Sequence, residues 1–470
     1  MPFMPFQILG IWFRGLLSIA ILAGGIYLLR RWYDDSHVVE PVRVVAADAG
    51  PDRADAAAPA PDRARGEVPA ASPAPAGRRV FRFEPGWNRE TGLLAAAIAL
   101  LLWATVGRWI GHGVSTLWMK SGSDPGPAAS ASAGKGGSGD RASGKRKSGK
   151  RKSVKSTPAR PEADEDPRPD RTGEVHTITR PDGSILRVEC YGPVDAPPIV
   201  WTHGWGCDST EWFYQKKHLA GRFRLIVWDE PGLGLSKKPD NNDYRLEKLA
   251  ADLEAVLALA GGRPAILAGH SIGGMIILTF CKLFPEALGT RVCGLILAHT
   301  SYTNPVRTTQ MAALYTAIEK PVLIPLMYLT IGTWPLVMVM NIMSYLNGSA
   351  HQSTHKTSFS GNETRGQLDF VTRYMPFDRP DVLARGMLGM IAYDATGVLP
   401  GINVPTLVVV GDKDTTTLPE AGQFIAANVP RADLATLSPA RHMGLFEHHD
   451  RFDRLVSDFA AASQAARAPR

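Results

Sequence analysis

From residue 198 to residue 412 the sequence returns five times to a short, nearly unbroken run of apolar and β-branched residues. The runs are PIVWT (198–202), FRLIVWD (223–229), PAILAG (264–269), GLILAHT (294–300) and TLVVVGD (406–412). A strand without polar alternation has no face to offer water, so it must be covered on both sides. A parallel sheet between two layers of crossover helices does this, and helical stretches such as 244–260 stand between the runs. Ahead of them, EVHTIT (174–179) and SILRVEC (184–190) flank the turn Arg180-Pro181-Asp182-Gly183 and read as edge strands. The expected fold class is therefore α/β.

The chain is 470 residues long, and the part before residue 173 has a different character. Residues 8–29 are 22 mostly apolar residues with one charge, Arg14, and are long enough to cross a hydrocarbon core of roughly 30 Å. The basic pair Arg30-Arg31 follows the run, and no small-residue cleavage site lies close behind it, so it reads as a retained anchor and not a signal peptide. A second run, 91–107, has 17 uncharged residues and continues through Arg108 to about 119, with Trp103, Trp109 and Trp118 suited to an interface. It reads as a second span, with a helix lying on the membrane surface as the alternative. Residues 120–155 carry 10 Lys and Arg against 2 Asp, whereas 32–89 carry 8 Arg against 9 acids. The positive-inside bias then predicts a multi-pass protein of the cell membrane with its catalytic part in the cytoplasm.

Residues 32–90 read as a disordered Ala/Pro-rich loop, and 120–172 as a basic disordered linker whose place beside a span favours anionic lipid head groups over nucleic acid. The formal charge of +7 lies wholly in the first 170 residues, with 24 basic against 17 acidic; the rest holds 28 of each. A neutral folded part offers no basic face for specific nucleic-acid binding. Four cysteines, none in a C-x-x-C pair, read as thiols in a reducing compartment, and no His cluster has zinc spacing.

The chemistry is read at the end of PAILAG, where Gly269-His270-Ser271-Ile272-Gly273 joins a strand to the apolar helix GMIILTFCKLF. Glycines flanking a serine on such a turn let it occupy a strained bend with its hydroxyl presented at the sheet edge. A serine hydroxyl needs a base, and the base needs an orienting acid. Both follow in order: Asp412 and Asp414 just past TLVVVG, then His442 in Arg441-His442-Met443-Gly444. Asp414 is the preferred acid because it stands beyond the strand end, with Asp412 the alternative. An oxyanion needs backbone N–H donors, expected from Ile272 and from Trp205 in the loop after WTHGW. His203, beside Gly204 in that loop, is expected to shape it by hydrogen bonding.

Together THGW, DEPGLGLS (229–236), GHSIGG, GDKD and RHMGLFE resemble the α/β-hydrolase superfamily over roughly 174–465. The resemblance implies an eight-stranded, mostly parallel sheet with helices on both faces and a helical cap, with Ser271 as nucleophile, Asp414 as acid and His442 as base. Serine at the nucleophile position sets the chain apart from relatives that open epoxides or remove halides, which carry Asp there. Arg441 stands where many relatives have Gly.

The core is expected over 173–300 and 406–466, with 301–405 as the cap insertion. Residues 321–350 of that insertion contain no Asp, Glu, Lys or Arg. They cannot form a third span, because one more crossing would separate Asp414 and His442 from Ser271. They read as a buried cap core, or as a lipophilic pocket or membrane-facing surface, broken at Pro325, Gly332 and Pro335. His351, His355, Asn362 and Arg365 are candidates for orienting a head group, and His448-His449-Asp450 reads as solvated helix capping. The expected function is a membrane-anchored serine hydrolase of lipophilic carboxylic esters, with a layout resembling monoacylglycerol-lipase-like enzymes. An acyltransferase or thioesterase on the same triad, and a catalytically silent scaffold, are the alternatives. No metal or organic cofactor is expected, the expected partners are the ester and membrane lipids with no specific nucleic acid, and protein partners are left open.

Overall fold

The computed structural model describes residues 7–40, 78–81, 88–121 and 166–465. Most of the Ala/Pro-rich loop (41–77 and 82–87) and of the basic linker (122–165) lies outside these described residues. The chain divides into two units, 18–105 on one side and 1–17 with 106–470 on the other.

Helix α1 (Gln7–Ser36) and helix α2 (Arg89–Ser121) flank a small hairpin of β1 (His37–Glu40) and β2 (Arg78–Phe81). Within 18–105, α1 and α2 approach closely at Gly25, where a Cβ would lie 2.9 Å from Leu101. The strands pair antiparallel, with Val38 opposite Val80 and Glu40 opposite Arg78. The loop expected from residue 32 therefore begins later: α1 runs on to Ser36, and residues 37–40 pair with 78–81.

The larger unit is built on a sheet of eight strands. In chain order it runs β3 (Glu174–Thr179), β4 (Ile185–Tyr191), β5 (Pro198–Thr202), α3 (Phe213–Leu219), β6 (Arg224–Trp228), α4 (Leu246–Leu257), β7 (Ala265–His270), α5 (Ile272–Leu283) and β8 (Val292–Ala298). An insertion follows, then β9 (Thr406–Gly411), α12 (Pro419–Asn428), β10 (Ala432–Leu437), α13 (Gly444–Glu447) and α14 (His449–Ala465), the insertion supplying α6 to α11. The strand order is β10-β9-β8-β7-β5-β6-β4-β3. β4 lies antiparallel to β3 and β6, and all other neighbours are parallel. Every residue of β5 to β9 is buried, as the unbroken apolar runs require. The strand not read from the sequence is β10, whose ADLATL alternates with polar residues because it is an exposed edge.

From β5 the chain steps to one side for β6 and then returns to the other side for β7. This reversal opens a crevice at the carboxyl ends of β5 and β7. The cap between β8 and β9 consists of α6 (Ala312–Ile318), α7 (Ile324–Gly332), α8 (Trp334–Leu346), α9 (Ser349–Ser358), α10 (Arg365–Thr372) and α11 (Pro380–Ile391). A π-turn at Glu319–Leu323, containing Pro321, joins α6 to α7; Pro325 and Pro335 each sit near a helix start and Gly332 ends α7. Proline lacks the donor that a regular ladder needs, so the segment without charges folds as jointed helices.

The tightest packing lies under the serine turn. A Cβ on Gly273 would come within 2.3 Å of the Thr202 carbonyl oxygen, and one on Gly269 within 2.4 Å of Gly273 backbone. Gly273→Ala should therefore force α5 away from β5, lowering stability by about 1–3 kcal/mol in denaturant unfolding and lowering kcat with it. Wild-type stability and activity would contradict this packing account.

Candidate active site

Ser271 sits between β7 and α5 with φ 54° and ψ −116°, a conformation unusual for a residue with a side chain. The turn is held from several sides. Ser271 N–H donates to Ala298 O at 2.9 Å, and the Thr300 hydroxyl donates to Ser271 O at 2.6 Å. A Cβ on Gly274 would meet Thr300 at 2.6 Å, so the first turn of α5 is pressed against the end of β8.

The Ser271 hydroxyl lies 3.0 Å from His442 Nε2, and His442 Nδ1 lies 2.8 Å from Asp414 Oδ2. The three side chains come from the ends of β7 and β9 and the loop after β10, and all are buried. Asp414 Oδ1 accepts the N–H groups of Thr416 (2.8 Å) and Thr417 (3.1 Å), and the Thr417 hydroxyl lies 2.9 Å from Oδ2. Burial opposes ionisation of Asp414, but His442 and His299 with these donors hold its carboxyl below the usual carboxylate range. Burial pushes His442 down to about 4 against the pull of Asp414, leaving Nε2 an unprotonated acceptor at neutral pH.

Asp412, the alternative acid, is committed elsewhere. It accepts from the Ser438 hydroxyl at 2.7 Å and from Ala440 N–H at 2.9 Å, tying the end of β9 to the histidine loop. Glu447 binds the same loop to the cap, accepting the Ser360 N–H and hydroxyl, each at 2.7 Å. Arg441 N–H lies 3.5 Å from the other Glu447 oxygen, so the backbone at Arg441 faces the same carboxylate.

At the end of β5, His203 accepts the Glu230 N–H on Nε2 (3.0 Å) and faces Gly204 O with Nδ1 (2.9 Å). Both ring nitrogens are thereby used in shaping the loop. Trp205 is pinned through Nε1 to Leu383 O at 3.0 Å, and a Cβ on Gly386 of α11 would lie 1.9 Å from its ring. The backbone N–H groups of Trp205 and Ile272 make no hydrogen bond among the described residues. Ile272 opens α5, where the first N–H groups have no partner in the helix.

Three acidic or basic residues around the site escaped the sequence reading. Glu211 accepts Gly204 N–H at 2.8 Å with one oxygen and faces His270 Nδ1 at 2.8 Å with the other. His270 Nε2 lies 3.1 Å from His442 O, so this chain links the loop after β5, the serine turn and the histidine loop. Burial opposes ionisation of Glu211, yet His270 and Gly204 N–H hold its carboxyl below the usual range. His299, at the end of β8, places Nδ1 3.4 Å from Asp414 Oδ2. Glu230 is fully buried beside His203, and burial pushes its carboxyl up to about 7. A lone Glu within STEWFY was the one available signal for Glu211; nothing local marks His299.

Other sequence candidates are engaged within the cap or far strands. His351 bonds Asp369 at 3.0 Å, His355 pairs with Glu363, the exposed Asn362 turns its backbone N–H toward Glu447, and Arg365 opens α10. The expectation of solvated capping at 448–450 is corrected for His449. It is buried and stacked on Tyr214 at 3.8 Å between ring centroids. His218, His449 and Asp453 bring ligand-type atoms within 4.8 Å, but His218 Nδ1 and Asp453 Oδ2 at 2.7 Å are already hydrogen-bonded to each other.

A family model described as the alpha/beta hydrolase fold matches residues 197–449, more than half of the chain. The chain is 28% identical over 281 residues to a pimeloyl-[acyl-carrier protein] methyl ester esterase of Methylococcus capsulatus, covering 57% of this chain and 96% of that one. It is 24% identical to 3-oxoadipate enol-lactonase 1 of Acinetobacter baylyi, over 62% of this chain and 99% of that one. Among solved structures, a thermophilic esterase from Thermogutta terrifontis superposes with a TM-score of 0.50 at 23% identity, covering 62% and 99% of the two chains.

Two measurements check the site. Asp414→Asn should lower kcat by about 10,000-fold, because an amide opposite Nδ1 no longer selects the tautomer that leaves Nε2 free. Asp412→Asn should keep kcat close to wild type; the reverse order would exchange the two acids. Since His442 acts as base only when unprotonated, kcat/KM for a soluble ester should hold through pH 6.5 and fall only as pH approaches about 4. An acid limb at or above 6.5 would contradict the burial effect.

Proposed function

This chain belongs to the α/β-hydrolase family, and from that premise we propose that it is a membrane-anchored serine hydrolase of lipophilic carboxylic esters acting through an acyl-enzyme. The observation that carries the proposal is the relay Asp414, His442, Ser271, with contacts of 2.8 and 3.0 Å. His442 Nε2 takes the Ser271 proton as Oγ bonds to the ester carbonyl carbon. The carbonyl oxygen becomes an oxyanion, received by the N–H groups of Ile272 and Trp205. Collapse breaks the bond to the leaving alkoxide, which takes the proton from His442, and the acyl group stays on Ser271. Water then gives a proton to His442, attacks the acyl carbon and releases the acid as the proton returns to Ser271.

The preference for lipophilic substrates is supported by the cap, whose segment 321–350 has no charged side chain. Anchoring is supported by α1: residues Ile8–Ser36 are long and apolar enough to cross a membrane. The stretch Ala312–Gly332 meets the same measure but lies between β8 and β9, neighbours in one sheet, so the chain has to return to the side it left. A tether of this kind raises the local concentration of a membrane-dissolved ester. The basic residues of 120–155 favour a cytoplasmic catalytic part, held near anionic head groups.

The test is hydrolysis of p-nitrophenyl esters from C2 to C16 by detergent-solubilised full-length protein, with Ser271→Ala alongside and fluorophosphonate labelling of both. Wild type should label and prefer medium or long chains, and the variant should do neither. Equal activity in both proteins, or no labelling of folded wild type, would overturn the proposal.

A further inference from the structure

We propose that the cap itself is seated in the bilayer: α7 and α8 dock on the first three turns of α1 inside one leaflet and turn their outer faces to lipid acyl chains. The inference deepens the proposed anchoring and rests on α1 being a span.

The argument begins with what the start of α1 touches. Ile8 and Ile11 are buried in one cluster with Leu323, Met327 and Val337 of the cap. Trp12 Nε1 donates to the Thr330 hydroxyl at 3.1 Å, and Arg14 donates to the Ser353 hydroxyl at 2.9 Å. At Gly15 the helix comes so close to α8 that a Cβ would lie 2.3 Å from Met340. Arg14 is the one charge in the apolar run 8–29, and it is turned to the cap, as a polar group in a membrane helix turns to a protein partner.

Length then fixes the depth of this contact. Twenty-two residues of helix extend about 33 Å, enough for a hydrocarbon core of roughly 30 Å. If the residues that touch the cap stood in water, only 16–29 would remain, about 21 Å of helix, too short to cross. Whatever packs on residues 8–15 is therefore at leaflet depth, and what packs there is the cap.

The polarity of the cap helices agrees. On α8 the exposed stripe is Leu336, Val339 and Ile342, while the buried stripe includes Asn341 and Ser344. On α7 the exposed residues include Tyr328 and Leu329, and the buried one next to them is Thr330. α1 repeats the pattern, with Phe13 and Leu16 outward. Helices facing water carry their polar residues outside, and these three carry theirs inside, the arrangement suited to an apolar solvent. The insertion between two neighbouring strands lets such helices enter a leaflet and leave on the same side.

The experiment is site-directed spin labelling of the full chain in phosphatidylcholine–phosphatidylglycerol vesicles, reading accessibility to oxygen and to a water-soluble nickel chelate. The four native cysteines are buried, so single labels can be placed at Tyr328→Cys, Leu336→Cys and Val339→Cys in the cap, Phe13→Cys in α1 and Val194→Cys on the exposed hydrolase surface. The expected result is that the cap labels, like Phe13→Cys, lose nickel access and gain oxygen access relative to Val194→Cys. Nickel access at the cap labels with protection at Phe13→Cys would overturn the seated cap and leave the anchor standing. Nickel access at Phe13→Cys would overturn the anchor and the inference together. Cap labels shielded from both reagents, with spin–spin broadening, would mean a second copy covers this face, and would overturn the inference too.

Discussion

The chemistry of this molecule depends on how closely α5 approaches the ends of β5 and β7. Gly273 lies against the Thr202 carbonyl and Gly269 against Gly273, at separations that no side chain permits. That approach bends the chain so sharply that Ser271 takes positive φ, and it leaves Ile272 N–H at the open start of α5. The strain is offset by the hydrogen bonds from Ser271 N–H to Ala298 and from Thr300 to Ser271 O, and by the apolar burial of the whole of β7 and nearly all of α5. The serine is exposed to chemistry because the backbone around it has no freedom to relax.

A second constraint is electrostatic. The site buries four histidines and three carboxylates around one serine: His203, His270, His299 and His442 with Glu211, Glu230 and Asp414. Burying charge is costly unless each group finds a partner, and most do here. Asp414 collects two backbone N–H groups and His442; Glu211 collects Gly204 N–H and His270. The result separates roles. Asp414 stays ionised and His442 stays neutral, so the proton on Ser271 has one place to go. Glu211 performs a positional task, since through its two oxygens the loop after β5 and the serine turn are referred to one rigid group.

The central sheet and the Ser271, Asp414, His442 order could be read in the sequence because each rests on a local pattern: unbroken apolar runs for β5 to β9, Gly-x-Ser-x-Gly for the turn, an acid just past a late strand and a histidine before the last helix. β10 could not, because an edge strand needs no apolar run and ADLATL carries none. Glu211 and His299 were hidden for another reason. Their partners lie 59 and 115 residues away, and only the sheet order brings the ends of β5, β7, β8 and β9 side by side. His448-His449-Asp450 reads as solvated capping because it is a polar run at the start of the last helix, whereas Tyr214 from a distant segment covers the His449 ring.

The uncharged segment 321–350 shows where hydropathy and topology each have authority. Hydropathy alone would make it a span, and topology forbids the crossing, yet topology does not say which solvent the segment meets. The proposed seating in lipid rests on which side of each helix holds the polar residues. Thr330, Asn341 and Ser344 are inward, Leu336, Val339 and Ile342 outward, and Arg14 of α1 is satisfied at Ser353 on the cap. A helix dissolved in water gains by the opposite arrangement. Because α11 of the same cap also presses Gly386 onto the ring of Trp205, the cap joins the apolar surface to the loop after β5. In the proposed seating, contact with lipid and the hold on Trp205 are two faces of one insertion.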